Sequence, residues 1–302
     1  GHYRGGLGYV AVIAAIIMAS LSGSAVADAA ALAALLIPMM RAAGYDVNRS
    51  AGLVAAGGII APVIPPSIGF IIFGVSGNVS ITKLFLAGIV PGVMMGVAIG
   101  IAWWWVAKKE NVQPAPNMPM KERLKVTANS TFAVALPLII IGGMKAGVFT
   151  PTEAAVAAAV YSFVVGAFVY RELKLSEVYG LFLAAGKTTA VVMFLVAAAM
   201  VSAWLITVAN IPSEVAAMLS PFMGNKTLLM FVMMVLIVIV GTALDFAPTV
   251  LILTPVLMPV VLKAGIDPVY FGVLFIMNNA IGLITPPVGT VLNVVCGQGE
   301  TV

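Results

Sequence analysis

Eleven carboxylates, one histidine and one cysteine are all this 302-residue chain offers for reactive chemistry. General acid–base catalysis needs a poised histidine or paired carboxylates, and a zinc hydrolase needs a pattern such as HExxH. Neither occurs, so the residues speak for binding and transport rather than an enzyme. Among the carboxylates only Asp28 and Asp245 fall within strongly apolar stretches. A charge at mid-bilayer costs on the order of 2.5–3.5 kcal/mol on insertion scales, so each should face a cavity or a partner. The other unusual chemistry is in the backbone. Pro65–Pro66 and Pro286–Pro287 interrupt apolar runs at 52–75 and 268–296. Proline removes a donor and blocks the preceding helical hydrogen bond, freeing carbonyls that lipid cannot satisfy. Free carbonyls are hard oxygen ligands suited to a small cation such as sodium, and half-helix N-termini suit an anion.

The elements that must carry these groups are membrane helices. The chain is 62% hydrophobic and 9% charged, against roughly 25% charged in ordinary soluble domains. Several apolar runs reach the roughly 20 residues that span a bilayer. The net charge of +4 is too small to suggest a nucleic-acid partner, and the lone Cys296 excludes an internal disulfide framework. Residues 7–40 read as two short apolar helices joined by the tip "SGSAVAD", each too short to cross comfortably alone. Residues 84–106 form a span ending in Trp103, Trp104 and Trp105, where an interfacial belt belongs. Spans are expected at 131–149, 155–170 and 188–208, with 171–187 lying along the membrane surface. The segments 227–240 and 249–262 flank a second tip, "GTALDFAP". The edges "GHYRGG" and "CGQGETV" look cut, so part of a longer protein is expected.

A shift of 221 positions aligns Pro38 with Pro259, Gly44 with Gly265, Asp46 with Asp267, Pro65 with Pro286 and Pro66 with Pro287, without a gap. Apolar composition explains chance Leu or Ile matches, but poorly explains five Pro, Gly and Asp matches in one register. The reading is an internal repeat of the kind secondary transporters carry. The five Lys and Arg of 108–125 place that loop in the cytoplasm by the positive-inside rule. Counting crossings from there leaves an odd number between the two copies, so the repeats are inverted. The expected fold is an all-α polytopic membrane protein with two re-entrant helical hairpins and two Pro-broken transmembrane helices. Residues 1–82 are the first repeat, with its hairpin at 7–40. Residues 83–226 are scaffold or arm helices with a cytoplasmic loop at 107–130. Residues 227–302 are the second repeat, with its hairpin at 227–262. Asp46 and Asp267 lie in turns and read as structural.

The stretches "LSGSAVADAAALAALLIPMM", "GGIIAPVIPPSIGFIIFG", "GVFTPTEA", "VLILTPVLMPVV" and "NNAIGLITPPVG" closely resemble the large membrane subunit of tripartite ATP-independent periplasmic (TRAP) transporters. The resemblance covers essentially the whole chain. It implies an elevator-type, sodium-driven importer of organic acid anions in the bacterial inner membrane, with sodium as coupling ion and no other cofactor. It also implies a periplasmic substrate-binding protein and a small four-helix membrane subunit, separate or fused. Sugar acids such as sialic acid or diketogulonate, and C4-dicarboxylates, all suit such a system. By this resemblance Ser22, Gly23 and Ser24 at the first tip supply sodium and substrate ligands together with Pro66 and Ser67. The matching second set is Gly241, Thr242, Asn278, Asn279 and Thr285, with Asp28 and Asp245 at the tips. One of the tip serines also suits a plain helix N-cap. A stand-alone ion-coupled carrier of the same architecture is the alternative, and it would need no binding protein.

Overall fold

The computed structural model describes residues 4–109 and 120–300. Most of the loop expected at 107–130 therefore lies outside the described residues or has only its backbone described. Every element among the described residues is helical. They fall into two compact units, one formed by the chain up to 119 and from 212 onward, the other by 120–211. Among the described residues six helices are long and apolar enough to cross a bilayer, and the chain is a multi-pass membrane protein.

In the first unit α1 (Gly6–Ser22) and α2 (Ala25–Ala42) form a helical hairpin, followed by α3 (Val47–Gly58), a non-helical turn and α4 (Ile68–Gly77). The long α5 (Ile81–Lys109) comes next. At the far end of the chain α10 (Lys226–Ala243) and α11 (Phe246–Lys263) form a second hairpin. After it come α12 (Pro268–Gly282), another turn and α13 (Thr290–Glu300). A shift of 221 carries α2 onto α11 residue for residue, and the corner after each hairpin repeats atom for atom. In the first corner Gly44 takes φ 84°, and its amide and that of Tyr45 bond back to Arg41 and Met40 oxygens, each at 3.0 Å. In the second corner Gly265 takes φ 64°, with amides of Gly265 and Ile266 on Leu262 and Val261 oxygens, again at 3.0 Å. Such a left-handed stop suits glycine because no Cβ is present to clash. Asp46 Oδ1 then accepts the Arg49 amide at 2.8 Å, and Asp267 Oδ1 accepts the Tyr270 amide at 2.8 Å. Both aspartates are helix caps, which is the structural role their turn positions suggested.

The helices after the two breaks are exchanged between the repeats. α4 packs on α11 and α12, while α13 packs on α2 and α3. α5 crosses α1, α3, α4 and α12, and its glycines let them approach. A Cβ on Gly88 would stand 2.4 Å from the Phe70 ring, one on Gly92 2.4 Å from Ile64, and one on Gly96 2.5 Å from Ile16. Within lipid the hydrophobic effect drives little association, so close packing over small residues does this work. A ring cluster of Phe73, Phe271 and Phe275, with centroids 5.6–6.1 Å apart, ties α4 to α12. These contacts put α5 in the first unit, whereas the sequence reading grouped it with the middle segment.

The second unit holds α6 (Met120–Lys145), α7 (Pro151–Val164) with a π-turn at Val165–Val169, and α8 (Leu175–Val208); α9 (Ile211–Leu219) leads back to the first. Thr150 and Glu153 form a reciprocal cap at the start of α7, with Pro151 in the first turn. From Leu175 the segment expected at the membrane surface, 171–187, runs unbroken into the span expected at 188–208 as one 34-residue helix, about 51 Å long at 1.5 Å per residue. Scattered polar residues there lowered its hydropathy, but no proline stops the helix from propagating through it.

Candidate binding site at the hairpin tips

The first tip is built by two serines flanking a glycine. Gly23 ends α1 at φ 63°, and Ser24 caps α2 by accepting the Ala27 amide at 3.4 Å. Ser22 points its hydroxyl at Asp28 Oδ1 and accepts the Ser24 amide at 3.1 Å. Asp28 is buried at 2% exposure, and its Oδ2 has no protein partner. An unpaired buried carboxylate oxygen is costly, so this atom is positioned for a ligand or a proton. Gly23 also rests on the first proline break: a Cβ there would stand 2.4 Å from the Pro66 oxygen and 3.1 Å from Ser67 Cα. Fully buried Ser67 donates to the Pro62 oxygen at 2.5 Å and accepts the Phe70 amide at 3.2 Å, starting α4 just beyond the break. The sequence-derived set Ser22, Gly23, Ser24, Asp28, Pro66 and Ser67 is thus gathered in one place.

The second tip meets the second break in the same way. Gly282 lies on Gly241, where an added Cβ would be 2.6–2.9 Å from the Gly241 backbone. The Val288 amide, just past Pro286–Pro287, donates to the Thr242 oxygen at 3.2 Å. Both proline pairs have a cis bond. Fully buried Asn279 donates through Nδ2 to the Phe246 oxygen at 3.0 Å, while its Oδ1 has no partner. That Oδ1 faces Gly241, where a Cβ would stand 2.9 Å away. The hydroxyls of Thr242 and Thr285 donate to Ile239 and Ile281 oxygens at 2.7 and 2.8 Å. A hydroxyl that has given its proton to a carbonyl keeps its lone pairs free to face a cation.

Two residues of the second set stand differently from the rest. Asn278 turns its amide onto the Leu274 oxygen at 2.8 Å and the Met234 sulfur at 3.1 Å, so its nitrogen is committed to α12 and α10. Asp245 begins α11 with no cap bond from its side chain, and it is exposed, unlike Asp28. The sequence reading missed Thr249, which the shift of 221 makes the counterpart of Asp28. It is fully buried and donates to the Asp245 oxygen at 2.9 Å. The repeat alignment was the signal that could have found it. No group of three or more His, Cys, Asp and Glu able to hold a metal occurs among the described residues. Any cation here would be held by carbonyls, hydroxyls, amide oxygens and single carboxylates.

Residues 1–301 match the family profile described as "Tripartite ATP-independent periplasmic transporter, DctM component". A 2,3-diketo-L-gulonate TRAP transporter large permease protein of Escherichia coli is 59% identical over 300 residues, covering 99% of this chain and 71% of that protein. A sialic acid TRAP transporter large permease protein of Vibrio cholerae is 37% identical, covering 99% and 70%. A C4-dicarboxylate TRAP transporter large permease protein of Pseudomonas aeruginosa is 37% identical, covering 96% and 68%. These relatives are all permeases, and the chain belongs to the DctM, or large permease, family of tripartite ATP-independent periplasmic transporters.

Proposed function

We propose that this chain is the transport core of a sodium-coupled secondary transporter that imports an organic acid anion across the bacterial inner membrane. The observation that carries the proposal is the pairing of each hairpin tip with a proline break, with buried oxygens that have no partner among the described residues: Asp28 Oδ2 at the first, Asn279 Oδ1 at the second, and Thr290 Oγ1 just past the second break. Non-helical backbone at membrane depth is tolerated where it is buried in protein or lines a cavity. The hairpins are therefore read as re-entrant and the tips as meeting near the midplane, with the repeats inverted. Helices α2, α10 and α11 have 18 residues each, inside the range of about 17–25 that can span. Length alone does not make them re-entrant; the packing of tips on breaks supports that reading. One sodium ion sits at each tip–break pair. Ser22, Gly23, Ser24, Asp28, Pro66 and Ser67 belong to the first, and Gly241, Thr242, Asp245, Asn278, Asn279 and Thr285 to the second. The anion binds between them, and the core moves as a rigid body in an elevator cycle.

The names of the relatives support an acidic substrate, and the 59% identity to a diketogulonate permease makes sugar acids the first class to test. A periplasmic binding protein delivers the substrate, and a small membrane subunit, separate or fused, supports the core. The test is uptake of a panel of labelled acids by the reconstituted complete system, with and without its binding protein. A sodium gradient should drive uptake of one acid only when the binding protein is present. Equal uptake driven by a proton gradient in sodium-free buffer would contradict the coupling. Uptake without the binding protein would favour a stand-alone carrier.

A further inference from the structure

Phe246, the first residue of α11, touches α4, which follows the first proline break, and α12, which precedes the second. Its ring lies against the backbone of Gly69, in the first turn of α4. A Cβ at Gly69 would stand 2.6 Å from Phe246 Cζ and 2.8 Å from Cε1, so only glycine brings α4 onto the ring. The carbonyl of the same residue receives Asn279 Nδ2 at 3.0 Å, on α12 just before the second break. Asn279 turns its unpaired Oδ1 to Gly241 at the second tip. From Gly69 the chain leads back through Ser67 and Pro66 to Gly23 at the first tip. Phe246 thus joins the second tip to the first turn of α4, just past the first break.

The repeat does not reproduce this contact. The counterparts of Phe246 and Gly69, 221 positions away, are Ala25 and Thr290. Alanine has no ring to reach across with. The close approach at its carbonyl is retained without the hydrogen bond: the Ala25 oxygen lies 3.1 Å from where Gly58, the counterpart of Asn279, would carry a Cβ. The backbone half of the arrangement is therefore shared, and the aromatic half is present in one direction only.

We propose that Phe246 is a positioning residue that couples the two ion sites, resting on the sodium reading given above. An ion held through Asn279 fixes the orientation of the amide and hence the Phe246 carbonyl that it grips. The ring then sets the first turn of α4, and with it the Ser67 backbone and the Pro66 carbonyl that lie against Gly23 at the first tip. Such a link lowers the cost of ordering the first site once the second is filled. The shape of the sodium dependence reads this out, because steepness can rise as far as the number of coupled sites.

The experiment is sodium-dependent uptake by the complete reconstituted system carrying wild type, Phe246→Ala or Phe246→Met. Wild type should be sigmoidal. Phe246→Ala should keep uptake at saturating sodium, with the Hill coefficient falling to about one. Phe246→Met refills the space with a flexible apolar chain and should recover most of the steepness. A merely structural role would lower the amount of protein or the maximal rate and leave the steepness unchanged, and that result overturns the proposal. If Phe246→Ala does not insert, Gly69→Ala displaces the ring from the other side and should flatten the curve in the same way. A hyperbolic wild-type curve overturns the coupling alone. Wild-type uptake indifferent to sodium overturns the sodium reading, and this inference with it.

Discussion

Asp28 and Gly23 show how much the site depends on single atoms. Asp28→Asn keeps the size of the side chain and removes its charge. It should insert and fold normally but raise the sodium concentration for half-maximal uptake at least several-fold, since opposite charge beside a cation is worth more than a neutral dipole. An unchanged sodium dependence would make Asp28 structural and move the first ion site elsewhere. Gly23→Ala adds a methyl group 2.4 Å from the Pro66 oxygen at a backbone angle of 63°. The angle alone costs roughly 1–2 kcal/mol for a residue with a Cβ. Tip and break must therefore separate, and uptake should fall by more than tenfold with protein levels retained. Normal uptake in this variant would show that the contact is dispensable. Two aspartates in apolar stretches and two proline pairs stand out in the sequence, while the grouping of single residues into two sets came from the family resemblance. It could not tell Asp28 from Asp245. One is buried against a serine and the other exposed, and that difference comes from helix packing rather than from local spacing.

At the scale of elements, each corner after a hairpin is a matched module of glycine stop and aspartate cap. Asp46→Ala and Asp267→Ala should each cost about 0.5–2 kcal/mol of stability. Thermal melts in detergent should show similar losses for the two, with the sodium dependence of uptake unchanged. A shift in sodium affinity in either variant would give that aspartate a part in the site. These corners were legible from sequence because glycine and aspartate have strong local reasons to sit there. The exchange of α4 and α13 between the repeats was not, since it depends on contacts between segments some 180 residues or more apart and leaves no period in the chain. The continuity of the 34-residue α8 was not legible for the opposite reason: hydropathy marks where lipid should be, whereas a helix continues until something stops it.

For the molecule as a whole, the claim that the two copies face opposite ways can be checked by labelling. Cysteines at Lys121 and Lys263, in a Cys296→Ser background, should react with an impermeant thiol reagent from opposite sides of the membrane. Labelling of both from one side would remove the inversion. Class, repeat and family were all readable from the chain because membrane helices carry their environment in their composition, and glycines and prolines mark its interruptions. The division into units was only partly readable, since α5 joins the first unit through glycine contacts that hydropathy does not register. The central claim is that each tip–break pair holds a sodium ion. Equilibrium binding of radioactive sodium to the purified complete permease tests it most directly. The account expects one ion for each repeat, with Asp28→Asn weakening binding of the first at least several-fold and Asn279→Ala weakening binding of the second. No saturable sodium binding, or unweakened binding in both variants, would contradict it.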